Sequence, residues 1–363
     1  MLENSPNTLR ILEFYRRKYA PSVAIVGLLK ALSIASLKVK NIIPLSVIAV
    51  APSGSLKTRL SRELESGVFP VGSITYLGSD FTANAILKQN KEKPINRTCI
   101  IVNDLVFLFT SKSMQGEQRL VNCLAELLSD ARYDYMNFKE NYVLKAVVSL
   151  VANVTSDNYM SHSRRLIETT FGERCVTVYY YIPDEEERAF NRDEQNRRGM
   201  AFGRCLRLKN TYVDYSRFRD VFDELSVRWK LLMLSPSLLR VFGRITSIAC
   251  ANAVLNGRSE VNEDDVAVLK LIEPYLINPK SNHVPIVLSA SESLPDGSKK
   301  SIYQICLEVG LKPDRWQSYV AKVIRKYDIR GVISYYEAGA QPEPDKEEKW
   351  GGLRDERDSE DND

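Results

Sequence analysis

The spacing of apolar positions changes twice along this chain. Between residues 8 and 38 it is helical, with Leu9, Ile11, Leu12, Tyr15 and Tyr19 on one stripe. Pro21 restarts the pattern, and Val23, Ile25, Val26, Leu29, Leu32 and Ile34 make a second stripe, so a pair of core helices is predicted. Short, mainly apolar runs follow. Pro44–Val50, Ser73–Leu77, Cys99–Val102, Val147–Ala152 (ending in Asn153) and Cys175–Tyr181 are predicted strands. The stretches between them read as a helix to about Glu65, a short helix or loop over Asp80–Gln89, and a helix over Leu120–Leu128. Such alternation predicts an α/β fold whose mainly parallel sheet is buried on both faces. Tyr133–Tyr135 and Tyr142–Val147 flank a polar turn and are predicted to form a β-hairpin.

From Glu186 to about Asn278 the pattern is helical throughout. Leu238, Phe242, Ile245, Ile248, Ala249 and Val254 form one stripe, and Asn262 is placed to cap a helix with acids in its first turn. Residues 279–299, rich in Pro, Ser, Gly and Asn, read as a linker. Ser301–Val309 and Asp314–Tyr327 are predicted helices joined by Gly310-Leu311-Lys312-Pro313, and Gly331–Tyr336 is a wing-like strand. The second helix carries Arg315, Lys322, Arg325 and Lys326 among its apolar residues.

Charge changes this picture at the C-terminus. The 363 residues carry a net charge of +4, but residues 341–363 hold ten acids and four bases, which leaves about +10 on the body. That tail reads as a disordered acidic segment that recruits a protein partner or masks the basic helix. The basic body suits a phosphate-rich partner, or serves solubility. No apolar run is expected to span a bilayer, and six scattered cysteines without a CxxC pair read as buried free thiols of a cytoplasmic or nucleoid-associated protein. His162 and His283 lie far apart, which argues against a structural zinc site.

The candidate chemistry centres on Ala51-Pro52-Ser53-Gly54-Ser55-Leu56-Lys57-Thr58, between the first apolar strand and a helix. Strand, tight turn and helix with Lys-Thr at its start is the layout of a P-loop, which aims backbone N–H groups at phosphate oxygens. The lysine neutralises charge and the threonine hydroxyl ligates Mg²⁺. Ala51 and Leu56 stand where the glycines of the G-x-x-x-x-G-K-[ST] pattern belong, so an ordinary strand–turn–helix stays open.

Other motifs follow in a fixed order. Tyr19-Ala20-Pro21-Ser22 precedes a helix, Phe81-Thr82-Ala83 follows the second strand, and Cys99–Leu105 ends its strand in Asn103-Asp104. The hairpin carries Lys139, Leu150-Val151-Ala152-Asn153 ends a strand, and Arg174-Cys175 and Pro183-Asp184-Glu185-Glu186 bracket the last one. In this order, from about Tyr19 to Leu271, the chain resembles the AAA+ ATPase module of the MCM replicative helicase clade, whose own P-loop lacks the second glycine. The resemblance implies an AAA+ P-loop parallel sheet with flanking helices, an all-helical lid and a C-terminal winged helix-turn-helix. The corresponding divisions are N-terminal helices (1–43), core (44–185), lid (186–278), linker (279–298), winged helix (299–336) and tail (337–363).

The resemblance also implies roles. Ser53, Gly54, Ser55 and Lys57 would hold the phosphates of ATP, and Thr58 and Asp104 the Mg²⁺. Asn153 would orient the attacking water. Arg174, with Arg164 and Arg165 as rivals, would reach a neighbouring subunit's γ-phosphate, which requires a homo-oligomer, a hexameric ring in this clade. The lid's sensor arginine is expected near Ser237, where Arg240 stands in one turn further on. Lys139 would touch DNA in a central channel, and Arg315, Lys322, Arg325 and Lys326 would contact DNA through the second helix of the C-terminal unit. The acid pair of the metal strand is degraded in either register: Asn103-Asp104 lacks the first acid, and Asp104-Leu105 lacks the base. Two functions follow as expectations: an ATP-dependent, DNA-acting AAA+ ATPase or helicase, or an ATP-gated DNA-binding initiator, regulator or scaffold with weak or no hydrolysis.

Overall fold

Val47–Ala51, an all-apolar and fully buried run, is the strand β1 around which the sheet is built. The computed structural model describes residues 2–70, 73–77, 82–105, 114–136, 141–159, 171–192, 200–233, 237–277, 286, 289–290, 298, 300–309 and 311–326. β1 pairs in parallel with β6 (Val148–Thr155) on one side and β7 (Val176–Tyr179) on the other. β2 (Ile74–Leu77) and β3 (Thr98–Val102) extend the sheet beyond β6, giving the order β2-β3-β6-β1-β7. The fold is therefore α/β with a five-stranded parallel sheet.

The N-terminal pair of helices forms as expected. α1 (Pro6–Lys18) packs on α2 (Pro21–Ser36), and each begins on the proline that fits a first helical turn. α2 lies on one face of the sheet against β1, β3 and β6. α3 (Lys57–Glu63) follows β1 and runs into a π-helical turn over Leu64–Val68. α4 (Ala83–Glu92) and α5 (Met114–Asp130) share a buried cluster with Ile48, Val50, Ile100, Val102, Leu150, Ala152 and Val154 on the other face. Where the structure describes it, from Thr82 onward, the stretch expected to be a short helix or loop is a helix, capped by Thr82, whose hydroxyl accepts from the Ala85 N–H at 3.2 Å. The hairpin also forms: β4 (Arg132–Met136) pairs antiparallel with β5 (Asn141–Lys145). Its tip, with Lys139, lies outside the described residues, as do Arg164, Arg165, Gly331–Tyr336 and the acidic tail.

Three expectations are corrected. β6 does not end at Asn153; pairing with β1 carries the ladder through to Thr155, whereas the pairing with β3 ends at Ala152. Residues 186–278 are not helical throughout. α6 (Asp184–Arg192), α7 (Arg219–Leu232), α8 (Leu238–Leu255) and α9 (Glu263–Ile272) form, but residues 200–215 make a strap. Its backbone is satisfied from outside: Arg10 donates to the Phe202 and Arg204 carbonyls, and Thr211 exchanges hydrogen bonds with Lys38 and Lys40. Finally, α8 is long and apolar enough to cross a bilayer by length and composition, although 72% of it is buried within the protein. The Asn262 cap is a full capping box, with the Asp265 carboxylate accepting from the Asn262 N–H.

Residues 1–284 make one compact unit and 285–363 another. In the second, α10 (Ile302–Glu308) packs on α11 (Pro313–Lys326) through Ile302, Ile305, Val320, Val323 and Ile324.

The α1–α2 contact depends on Gly27. A Cβ there would sit 2.4 Å from the Tyr15 ring, which is itself fully buried. Gly243, in the middle of α8, has nothing within 4 Å of the same position. Gly27→Val is expected to destabilise the fold by about 1–3 kcal/mol through overpacking. Gly243→Ala is expected to stabilise it by about 0.5–1 kcal/mol through helix propensity. Guanidinium denaturation of both variants reads the two signs.

Candidate functional site

The parallel ladder brings the C-terminal ends of β1, β3 and β6 side by side. An open cleft of about 350 Å³ lies there, lined by Ser53–Arg59, Asn103, Asp104, Val154 and Thr155. The loop, the residues after β3 and the end of β6 therefore meet, as a shared site requires.

The loop turns tightly between β1 and α3 through two left-handed residues, one of them not a glycine. Leu56 has φ +61° and ψ 9°, the left-handed conformation a glycine adopts freely. A leucine bears it at a cost on the order of 1–2 kcal/mol. Gly54 is also left-handed, at φ +83°. Tyr180 supports the turn from β7: its buried hydroxyl donates to the Ser55 carbonyl at 2.9 Å. Lys57 folds back over the loop and donates to the carbonyls of Ala51 (2.8 Å) and Pro52 (2.5 Å). Partial burial lowers its pKa to about 8, and the Asp104 carboxylate opposes that shift. Thr58 lines the cleft beside it.

The residues after β3 resolve the choice of register. Asn103 and Asp104 both line the cleft, whereas Leu105 is fully buried in the core. Among the described residues Asn103 Oδ1 has no hydrogen-bond partner, and the atom is buried rather than open to the cleft that the residue lines. The side chain is neutral and offers no charge there. Among the described residues no group of three or more His, Cys, Asp or Glu side chains could hold a metal. Thr58 and Asp104 fit the other mode of magnesium binding, in which one or two protein oxygens supplement phosphate and water.

Asn153 lies elsewhere than the sequence reading expects. Alternation along β6 turns it to the α2 face, where it is fully buried and does not line the cleft. Its Oδ1 accepts from Lys30 Nζ at 2.9 Å and its Nδ2 donates to Ser61 Oγ at 3.3 Å. Thr155, two residues on, occupies the cleft end of the strand.

Lys30 is the residue the sequence reading missed. It lies on α2 with no solvent exposure, and its ammonium also donates to the Lys57 carbonyl (2.8 Å) and Ser61 Oγ (3.0 Å). Three donors meet three neutral acceptors. Burial, then repulsion from Lys57, lowers its pKa to about 7. The available signal was a lone lysine in the apolar helix Val23–Ala35.

Arg174 and Arg240 are far from the cleft. With Arg244 they line a separate cavity of about 220 Å³ beside Leu45 and Ser46, at the N-terminal ends of β1 and β7. β1 alone separates the two ends by roughly 16 Å. Arg174 Nε donates to Ser129 Oγ at 3.0 Å, and Arg240 pairs with Glu173. Arg244 is buried, its Nε and Nη2 lack hydrogen-bond partners among the described residues, and burial lowers its pKa to about 10. Arg240 is therefore corrected from a ligand of its own chain's loop.

A third cavity, of about 440 Å³, adjoins the loop on its other side. Pro52–Leu56 line it together with Ala20, Tyr181, Ile182, Glu187 and Phe190. In the C-terminal unit Lys322 is exposed on α11, and Arg315 and Lys326 stand seven residues before and four after it, the spacing of one helix side. Arg325 belongs to the same helix. Comparison of the chain with models of known protein families and with curated proteins finds no match.

The pH dependence of stability isolates Lys30. Its folded pKa of about 7 lies below the ordinary lysine value of 10.5, so the unfolded chain binds that proton more readily. Stability is then lowest below pH 7 and rises between about pH 7 and 10.5, by on the order of 5 kcal/mol for full titration. Lys57 contributes in the same direction, but it does so in both proteins compared. Lys30→Met is expected to gain less stability than wild type between pH 6.5 and 9.5 in guanidinium titrations; equal gains would refute the assignment.

Proposed function

We propose that this protein binds a magnesium–nucleoside triphosphate, ATP in the first instance, and acts on DNA in the manner of an AAA+ protein of MCM-like type. The observation that carries the proposal is the convergence of the Ser53–Thr58 loop with Asn103 and Asp104 at the C-terminal ends of a parallel sheet. Lys57 would leave the carbonyls of Ala51 and Pro52 for the phosphates, and Thr58 and Asp104 would hold the metal. The cavity across the loop, with Tyr181 two-thirds exposed beside it, suits a base and ribose. The helices over 186–278 would be the lid and α10–α11 the helix-turn-helix of a winged unit.

The pole carrying Arg174 and Arg240 supports assembly. Neither arginine can serve the loop of its own chain from the opposite ends of the strands, so each would serve a neighbour's, in a ring. Lys139 would then face the channel, and Arg315, Lys322, Arg325 and Lys326 would contact DNA. The acidic tail would engage a protein partner.

A second reading has specific support. Asn103 supplies no charge to the metal, and Asn153 has both ends of its amide committed away from the cleft. Those two residues favour a nucleotide-gated DNA-binding protein that hydrolyses ATP poorly.

Lys57→Ala removes a charge-assisted contact of about 1.5–3 kcal/mol and is expected to weaken ATP binding by roughly tenfold to a hundredfold in calorimetry. An unchanged Kd would sink the nucleotide reading. Arg174→Ala is expected to leave the Kd intact and to lower any DNA-stimulated turnover by ~10³-fold or more. Clear binding without turnover in the wild type selects the gated binder. The salt slope of duplex binding is expected to fall when residues 299–336 are removed; an unchanged slope excludes that segment as a DNA contact.

A further inference from the structure

We propose that Lys30 is a positioning residue for the phosphate loop: it ties the first turn of α3 to β6 from beneath and carries a buried positive charge that the bound anion balances. This inference rests on the nucleotide reading of the same cleft. Lys30 touches no solvent and no cleft atom; it acts through the Lys57 carbonyl, Ser61 and Asn153.

The geometry is closed. Ser61 Oγ itself donates to the Lys57 carbonyl at 3.2 Å, and Asn153 Nδ2 donates back to Ser61. One ammonium thus fixes the residue that bears the phosphate-binding side chain, the next turn of the same helix, and the strand beside β1. The neutral amine has two N–H groups for three acceptors and turns a lone pair toward one of them. Only the charged form completes the network.

Among the described residues no carboxylate acts on that charge. The charged and titratable groups that act on Lys30 are Lys57 from α3, which repels it, and Cys99 from β3, a fully buried thiol whose own pKa is raised to about 11 by burial. Asn153 and Ser149 on β6 and Ser33 on α2 are neutral. Burying a cation without a counter-ion is costly. An anion in the loop, on the far side of the Lys57 backbone, would offset part of that cost in the low-dielectric interior. Phosphate binding should therefore favour protonated Lys30. Where the amine is partly neutral, binding takes up a proton and affinity falls as pH rises.

The test is calorimetric titration of the full-length chain with Mg²⁺–ATP between pH 6.5 and 9, each pH in two buffers of different ionisation enthalpy. Wild type is expected to take up more protons near pH 7.5 than Lys30→Met, and to bind about tenfold more tightly than the variant at pH 6.5. That ratio should shrink toward one by pH 9. Lys57 is present in both proteins, so the difference between them reads what Lys30 contributes, directly or through its repulsion of Lys57. Asn153→Asp, of the same size, guards against a Lys30→Met variant that fails to fold. Its carboxylate should pair with Lys30, keep it charged across the range, and abolish the Lys30 share of proton uptake while the lysine remains. Equal proton uptake and a pH-independent affinity ratio would reduce Lys30 to a structural residue. Unchanged proton uptake in Asn153→Asp would likewise overturn the role. Absence of ATP binding by the wild type at every pH would overturn the nucleotide reading and this inference together.

Discussion

The ammonium of Lys30 is the constraint on which the candidate site depends. It is a charge placed without solvent between α2, the start of α3 and the middle of β6, and it is met only by neutral oxygens. Removing one partner of such a group leaves buried polar atoms unpaired, at about 1–3 kcal/mol each. Two elements remote in sequence from the loop, an N-terminal helix and a strand about a hundred residues on, thus determine where the loop's helix begins. The loop cannot shift without breaking that contact.

A second constraint is local. Leu56 holds a backbone conformation that glycine adopts freely, and Tyr180 and the Lys57 ammonium secure the carbonyls of the same turn. The glycine of the usual signature exists to permit this conformation. Here surrounding contacts hold a leucine in it, so the missing glycine does not remove the turn on which the proposed phosphate site rests.

The two poles of the sheet separate two kinds of chemistry. Loop, metal-strand residues and the adjoining cavity gather at the C-terminal ends of the strands, whereas Arg174, Arg240 and Arg244 gather at the other. Within one chain they are too far apart to act on the same phosphate. In an assembly they become complementary faces, which is why the proposed activity is tied to oligomerisation. The neutral Asn103 and the sequestered Asn153 bear on the proposed hydrolysis rather than on the proposed binding.

Much of the fold is legible in the sequence because fully apolar five-residue runs and helical stripes each have one favourable burial. β1, β2, β3, the hairpin and the paired N-terminal helices all follow from spacing. So does the location of the site, since the loop and Asn103-Asp104 both terminate apolar strands. What spacing does not encode is which neighbour a strand acquires and which face a side chain takes. β6 runs past Asn153 because its pairing with β1 continues to Thr155, and that register turns Asn153 away from the cleft and toward Lys30. The strap over 200–215 is non-helical because distant side chains and strand-like bridges satisfy its backbone. Lys30 in an apolar helix and Arg240 near a helix start look unremarkable in one dimension. Only the tertiary structure sets the first beneath the phosphate loop and the second at the opposite pole, because desolvation and hydrogen-bond pairing are decided by what each group meets.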